Sequence, residues 1–255
     1  MAQGFRLPEI LDIARSEGRV TVDDLAVRFG VTAQTIRRDL AELDDAGELE
    51  RVHGGAILRS GVVNIGYQDR AALNAEGKRA LARACAEAIP HNAALFIAIG
   101  TTTEAVAREL RRHDGLMVVT NNLNVANILA ENPAAQVIVT GGALRRSDGG
   151  LTGPLTQNAM GQFKVDIAVI GCSALDAEGD MLDYDVQEVD ASRRLIAQAR
   201  RTWLVVDHSK LSRTAPARID SLQVIDTVFT DCPLPPSLAT KCAEWGTRIV
   251  VRTVE

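Results

Sequence analysis

The sequence predicts an α/β protein of two domains: three short helices closed by a β-hairpin over residues 1–58, and a mostly parallel sheet over 75–255, with a linker at 59–74. Three observations carry this reading. Helix caps and stops recur at short intervals through the first sixty residues. From residue 94 onward, seven apolar, β-branched runs alternate with amphipathic segments. A chain of 255 residues, 46% hydrophobic and 24% charged, suffices to bury two cores.

The first helix has Leu7, Ile10, Leu11 and Ala14 as its apolar stripe, Pro8 in its first turn and Gly18 as its stop. Thr21 and Asp24 have the spacing of a capping box for the second helix. Leu25 and Phe29 give that helix its buried side and Gly30 ends it. Only Val31 separates Gly30 from Thr32, which caps a third helix. So tight a turn between two short helices is a helix-turn-helix. After Gly47, residues 49–52 and 56–58 flank His53-Gly54-Gly55 and read as a two-stranded hairpin, the wing of a winged helix-turn-helix.

On the third helix Ile36, Leu40 and Leu43 recur at i, i+4 and i+7 and must face the core. At about 100° per residue, Gln34 and Arg38 then project outward, flanked by Thr35 and Arg37. Gln suits a bidentate pair with adenine, Arg suits guanine or phosphate, and a hydroxyl at the helix start suits phosphate. The candidate DNA contacts are therefore Thr32, Gln34, Thr35, Arg37 and Arg38, with Arg51, His53 and Gly54 on the wing. Asp39 lies nearer the buried side and is expected to have a structural partner. Bulk charge opposes a nucleic-acid reader, because residues 1–60 hold 8 Arg against 11 Asp or Glu, a net of −3. Local placement of the arginines has to supply the binding.

Residues 61–72 are polar and glycine-punctuated, and 75–89 read as a helix packed on the second domain. The apolar runs follow at 94–99, 116–120, 137–140, 166–170, 203–206, 227–230 and 248–251. Strands apolar on both sides, separated by helices, mean a parallel sheet covered on both faces. Ligands of such sheets sit outside the carboxyl ends of the strands. Gly100, Thr101, Thr102 and Thr103 end the first run and open a helix, an arrangement of amides and hydroxyls suited to an anion. Asn121 follows the second run, Gly141 and Gly142 the third with Arg145 just beyond, and Lys210 the fifth. Taken singly, each also fits a helix cap, a turn or a solvated surface charge. Their convergence on one sheet edge makes them a candidate phosphate site.

Cys85, Cys172, Cys232 and Cys242 show no CxxC pair, which argues against a zinc site or a disulfide framework, and no cofactor motif is read. The N-terminus lacks a signal peptide and no apolar run reaches a membrane span, so a cytoplasmic protein without membrane partners is expected.

The run 31–40, VTAQTIRRDL, followed by 50–56, ERVHGGA, resembles the signature of the DeoR family of bacterial transcriptional regulators. The resemblance implies that the helix from Thr32 is the recognition helix. Residues 94–210 are similar to the sensor domain of that family, which is related in fold to ribose-5-phosphate isomerase and binds phosphorylated sugars or related intermediates. Two positions depart from the family pattern that this chain follows most nearly: Ala98 stands where it has Asp, and Ala174 where it has Gly. The isomerases carry a Gly-Ala-Asp-Glu segment and a later Lys-Gly-Gly-Gly loop, whereas here the strand end reads Gly171-Cys172-Ser173-Ala174 with no lysine through Glu188. Asp183 remains as a carboxylate that could accept effector hydroxyls. The expectation is a regulator without catalysis, bound to double-stranded operator DNA as a homo-oligomer, dimer or tetramer. A phosphorylated effector is expected to close the sensor, reorient the linker and helix 75–89, and weaken DNA binding.

Overall fold

The computed structural model describes residues 3–17, 19–58, 66–211 and 213–254. The chain separates into two compact units, residues 1–73 and 74–255.

The first unit begins with α1 (Gln3–Glu17), β1 (Arg19–Thr21), α2 (Val22–Phe29) and α3 (Ala33–Asp45). It continues with β2 (Leu49–Val52), β3 (Gly55–Leu58) and α4 (Tyr67–Ala72). Thr21 caps α2 by accepting from the Asp24 amide, and its hydroxyl donates to the Asp24 carboxylate at 2.6 Å. Gly30 closes α2 in the left-handed region, which glycine reaches without steric cost. Thr32 caps α3 through the Thr35 amide. Ile36, Leu40 and Leu43 are buried against Ile10, Leu25 and Phe29, as their spacing requires.

Three features of this unit differ from expectation. Pro8 lies inside α1 rather than in its first turn, since the helix starts at Gln3. An exposed site near the helix start tolerates the one hydrogen bond that proline removes. The expected stop, Gly18, lies outside the described residues. The hairpin gains a third strand, because β1 pairs with β3 in the order β1-β3-β2. Within the expected linker, 59–65 lie outside the described residues and 67–72 form α4, with Asp69 buried.

The second unit opens with α5 (Ala75–Ala88), β4 (Ala94–Ile97), α6 (Thr101–Glu109), β5 (Met117–Thr120), α7 (Leu123–Leu129) and β6 (Gln136–Val139). A hairpin of β7 (Ala143–Arg145) and β8 (Gly150–Thr152) leads to α8 (Pro154–Met160) and β9 (Val165–Ile170). Next come β10 (Ala174–Leu175), β11 (Asp180–Asp183), α9 (Val186–Gln198), β12 (Ala199–Val205) and β13 (Ala217–Ser221). β14 (Thr227–Thr230), α10 (Pro236–Trp245) and β15 (Arg248–Val251) complete it. All seven apolar runs fall in one parallel sheet of order β15-β14-β12-β9-β4-β5-β6.

Alternation within β4 sends Phe96 to one face and Leu95 and Ile97 to the other. The Phe96 face packs on Met160, Val189, Leu195 and Leu238 of α8, α9 and α10. The opposite face packs on Leu81, Val106 and Val125 of α5, α6 and α7, and on Leu110 just after α6. Burial on both faces is why these strands read as unbroken apolar runs. From β4 the chain moves outward through β5 and β6, then returns to β9 on the other flank. The reversal point between β4 and β9 is where such sheets open a crevice for ligands.

Candidate functional site

Gln34, Arg37 and Arg38 are exposed on α3, Thr35 is half-buried and Arg51 is exposed on β2. Arg6, Thr32, Gln34, Arg37, Arg38 and Arg51 line one groove, so a wing residue and the outer face of α3 share a surface. A neighbouring cleft joins Arg37 to Arg51, His53 and Gly54. The wing turns in two residues, with Val52 opposite Gly55 and Gly54 at φ +77, a conformation that calls for glycine. Thr32 is committed to its helix, since its hydroxyl meets the Thr35 hydroxyl at 2.9 Å and the Thr35 amide at 3.2 Å. Asp39, 1% exposed, has a partner the sequence did not disclose. Arg6 on α1 donates to it through Nε at 2.7 Å and Nη2 at 3.2 Å.

At the sheet reversal, Gly100 precedes α6 with φ 143 and ψ 150 and brings no side chain to cap it. The first-turn amides of α6 are thus not taken by their own cap residue. Thr103, fully buried, donates to the carbonyls of Ala98 and Gly100 and fixes the loop. On the neighbouring strand a Cβ at Gly171 would lie 4.0 Å from the Thr103 methyl, so the ends of β4 and β9 meet closely. Lys210 follows β12, the next strand over, and is 6% exposed. Burial lowers its pKa to about 8, and Arg213 and Lys78 push the same way while Asp207 opposes them. Lys78 and Arg213 are themselves buried. The Cys172 thiol between Gly171 and Ser173 is pushed up to about 12 by burial and is a neutral wall of this region. Asp183 is occupied, with one oxygen accepting from Ser173 Oγ at 3.1 Å and the other from the Tyr184 amide at 2.7 Å.

Four of the expected phosphate contacts are engaged elsewhere in the structure. Arg145 is wrapped by carboxylates: it chelates Asp148 at 2.7 and 2.9 Å and also bonds Asp185 and Glu188. Burial works against its charge, but Asp148 and Glu188 hold it firmly protonated. One cation among three carboxylates offers little to an incoming phosphate. Gly141 and Gly142 follow the edge strand β6. There the Gly141 carbonyl accepts from Thr156, and a Cβ on Gly142 would lie 2.1 Å from that hydroxyl, which identifies a packed turn. Asn121 exchanges bonds with Leu151 and pins the β7–β8 hairpin over the end of β5. Gly100, Thr101, Thr102 and Thr103 follow β4, and Lys210 follows β12 on the far side of β9. Ala98 sits in the Phe96-side core, 5% exposed, and Ala174 is fully buried.

A family profile described as the DeoR C terminal sensor domain matches residues 73–232, and one described as the DeoR-like helix-turn-helix domain matches 6–61. The chain belongs to the DeoR family. The glycerol-3-phosphate regulon repressor of Escherichia coli K12 is 43% identical to this DeoR-family protein over 238 residues, 93% of this chain and 94% of that one. The protein of the same name from Haemophilus influenzae is 39% identical, covering 98% of each chain. The HTH-type transcriptional repressor CsqR of Escherichia coli K12 is 38% identical over 91% of this chain and 88% of its own. Among solved structures, a D-ribose-5-phosphate isomerase in complex with phospho-erythronic acid superposes with a TM-score of 0.40 at 14% identity, over 52% of each chain. Among the described residues no helix of this DeoR-family protein is long and apolar enough to cross a membrane, and no group of three or more ligating side chains could hold a metal ion.

Sequence reasoning missed three cations of this family member. Lys78 looked like one more charge on an amphipathic helix, Arg213 lies beyond any motif, and Arg6 sits in an apolar stripe. A buried Asp39 on the core side of a helix was the one available signal that a cation must approach it.

Proposed function

We propose that the protein is a repressor that reads operator DNA with α3 and the wing and leaves it when a phosphorylated small metabolite occupies the sheet crevice. The observation that carries the effector half is the start of α6, to which its N-cap Gly100 brings no side chain, at the strand reversal of the sheet that also carries buried Lys210, Lys78 and Arg213. Helix-start amides and buried cations together match a phosphate dianion. Two relatives at 39–43% identity are named glycerol-3-phosphate regulon repressors, which makes glycerol-3-phosphate the leading effector. The DNA half rests on the exposed Gln34, Arg37 and Arg38 facing the same groove as Arg51.

A binding role rather than turnover is supported by the state of the nearby carboxylates. Asp183 is engaged by Ser173 and a backbone amide, while Asp185 and Glu188 hold Arg145, so none of these three stands ready as a general base. One small helix-turn-helix reads few base pairs, so a homo-oligomer on repeated half-sites is part of the proposal.

Thermal unfolding measured with glycerol-3-phosphate, ribose-5-phosphate, fructose phosphates and their unphosphorylated parents tests the effector class. A ligand at 100 times its Kd stabilises by about 2.7 kcal/mol. Stabilisation by the phosphorylated compounds alone is the expected result. Stabilisation by the parents alone, or aldose–ketose turnover, overturns the reading.

A further inference from the structure

Arg6 and Asp39 are both nearly inaccessible, at 7% and 1% exposure. Taking two charges out of water costs about as much as their attraction returns, so apolar side chains would hold α1 to α3 equally well. Packing alone therefore gives no reason for a cation at position 6. Its place in the surface does.

Arg6 lines the groove that Thr32, Gln34, Arg37, Arg38 and Arg51 also line, with Asp39 among them. Four arginines against one carboxylate give this groove a formal charge of +3, although residues 1–60 as a whole carry −3. Half of the eight arginines of that segment gather here, and α1 supplies one of them. The Arg6 guanidinium gives Nε and Nη2 to Asp39 at 2.7 and 3.2 Å. A guanidinium is planar and carries five N–H donors, so this fork fixes the plane in which the group meets the groove. In helix-turn-helix modules one helix reads base edges while its neighbours cross the backbone. A cation on α1 is thus placed for phosphate rather than for bases.

We propose that Arg6 is a DNA-contacting residue contributed by α1: its guanidinium, held in plane by Asp39, donates to a backbone phosphate of the duplex that α3 reads. The proposal rests on the DNA reading above and extends it to a helix outside the α3 and wing surface. Asp39 is the positioning residue, acting only through Arg6. A phosphate contact carries no sequence information, so Arg6 sets affinity and register and leaves base preference to α3.

The test uses the full chain and a DNA duplex selected by the wild-type protein from a random pool. Arg6→Met with Asp39→Leu removes one cation and one anion, so the net charge of the protein is unchanged. Affinity for the selected duplex and for a scrambled one is measured across salt concentrations, with circular dichroism reading the folded state. The double variant is expected to bind both duplexes roughly tenfold more weakly, the size of one hydrogen bond to a charged group. Its slope of log affinity against log salt should fall by about one, the counterion release of one phosphate. A pair that only fastens α1 to α3 leaves that slope untouched. Arg6→Gln with Asp39→Asn conserves net charge and polar side chains, should show the same loss, and serves if the first double variant does not fold. Asp39→Asn alone should weaken binding although it removes a negative charge from the groove. A wild-type slope in a folded double variant, or unchanged or tighter binding by Asp39→Asn, overturns the proposal. If Arg37→Ala and Arg38→Ala also leave affinity and slope unchanged, the DNA reading fails and the Arg6 contact fails with it. A lowered slope in those two beside a wild-type slope in the double variants removes the Arg6 contact alone.

Discussion

Arg6 and Asp39, 33 residues apart, form a two-bond fork that ties α1 to α3 from the inside. Removing one member of a buried pair strands the other charge, whereas replacing both with apolar groups is often tolerated. Asp39→Ala is therefore expected to lower the denaturant midpoint of the DNA-binding unit. Arg6→Met combined with Asp39→Leu should recover most of that loss, and urea unfolding of the full chain followed by circular dichroism reads both. A double variant weaker than Asp39→Ala alone would contradict the stranded-charge account.

The wing depends on a close approach at Gly55. A Cβ there would lie 1.9 Å from the Val20 carbonyl oxygen, where β1 pairs with β3. Gly55→Ala should cost about 1 to 3 kcal/mol, the range for overpacking a filled site, and reduce DNA affinity through loss of the wing. Denaturant unfolding and anisotropy titration with duplex DNA measure the two effects.

Gln34 and Arg37 should fail in different ways if α3 lies in the major groove. Gln34→Ala is expected to cost about 1 to 3 kcal/mol on the preferred duplex and to relax preference at one base pair. Arg37→Ala, if Arg37 meets phosphate, weakens all duplexes alike and reduces the salt slope by about one. Binding isotherms across salt concentrations on preferred and scrambled duplexes separate the two patterns.

Lys210 titrates at about 8 when folded, below its ordinary 10.5, chiefly because it is buried, with Arg213 and Lys78 adding to the effect. Between those values the unfolded chain binds more protons than the native one, so stability should rise as pH climbs from about 8 toward 10.5. Lys210→Met should abolish that rise. Phosphate monoesters become dianions above about pH 6, so affinity for glycerol-3-phosphate should peak between there and the Lys210 titration and fall at higher pH. Calorimetric titration across this range checks the profile, with Lys210→Met expected to bind roughly 10- to 100-fold more weakly.

The frame was legible because its physics is local or repetitive. Strands buried on two faces must be apolar throughout, so 94–99 and its six counterparts stand out; Thr21, Gly30 and Thr32 punctuate α2 and α3 by side-chain capping and a left-handed stop. What escaped depends on partners distant in the chain. Arg145 was expected on phosphate, but Asp185 and Glu188, 40 and 43 residues later, claim it. Lys78 carries no mark of its 2% exposure, since an interspersed lysine on an amphipathic helix is usually solvated. β1 has three residues, too few to show alternation, and exists only because β3 offers it an edge.

The clamp around Arg145 lies beside the crevice, since a Cβ on Gly150 would touch Ile99 at 2.7 Å and the Arg145 guanidinium and Asp148 at 3.2 Å. Counted as formal charges, Arg145 with Asp148, Asp185 and Glu188 leaves −2 on that flank, opposite in sign to the side of Lys78, Lys210 and Arg213. Such a polarised crevice sorts ligands by where their charge lies. A metabolite phosphorylated at one end aligns with the field, while one phosphorylated at both ends drives its second anion into carboxylates. Fructose-1,6-bisphosphate should therefore compete with glycerol-3-phosphate far less well than fructose-1-phosphate does, and the gap should narrow as added salt screens the acidic flank.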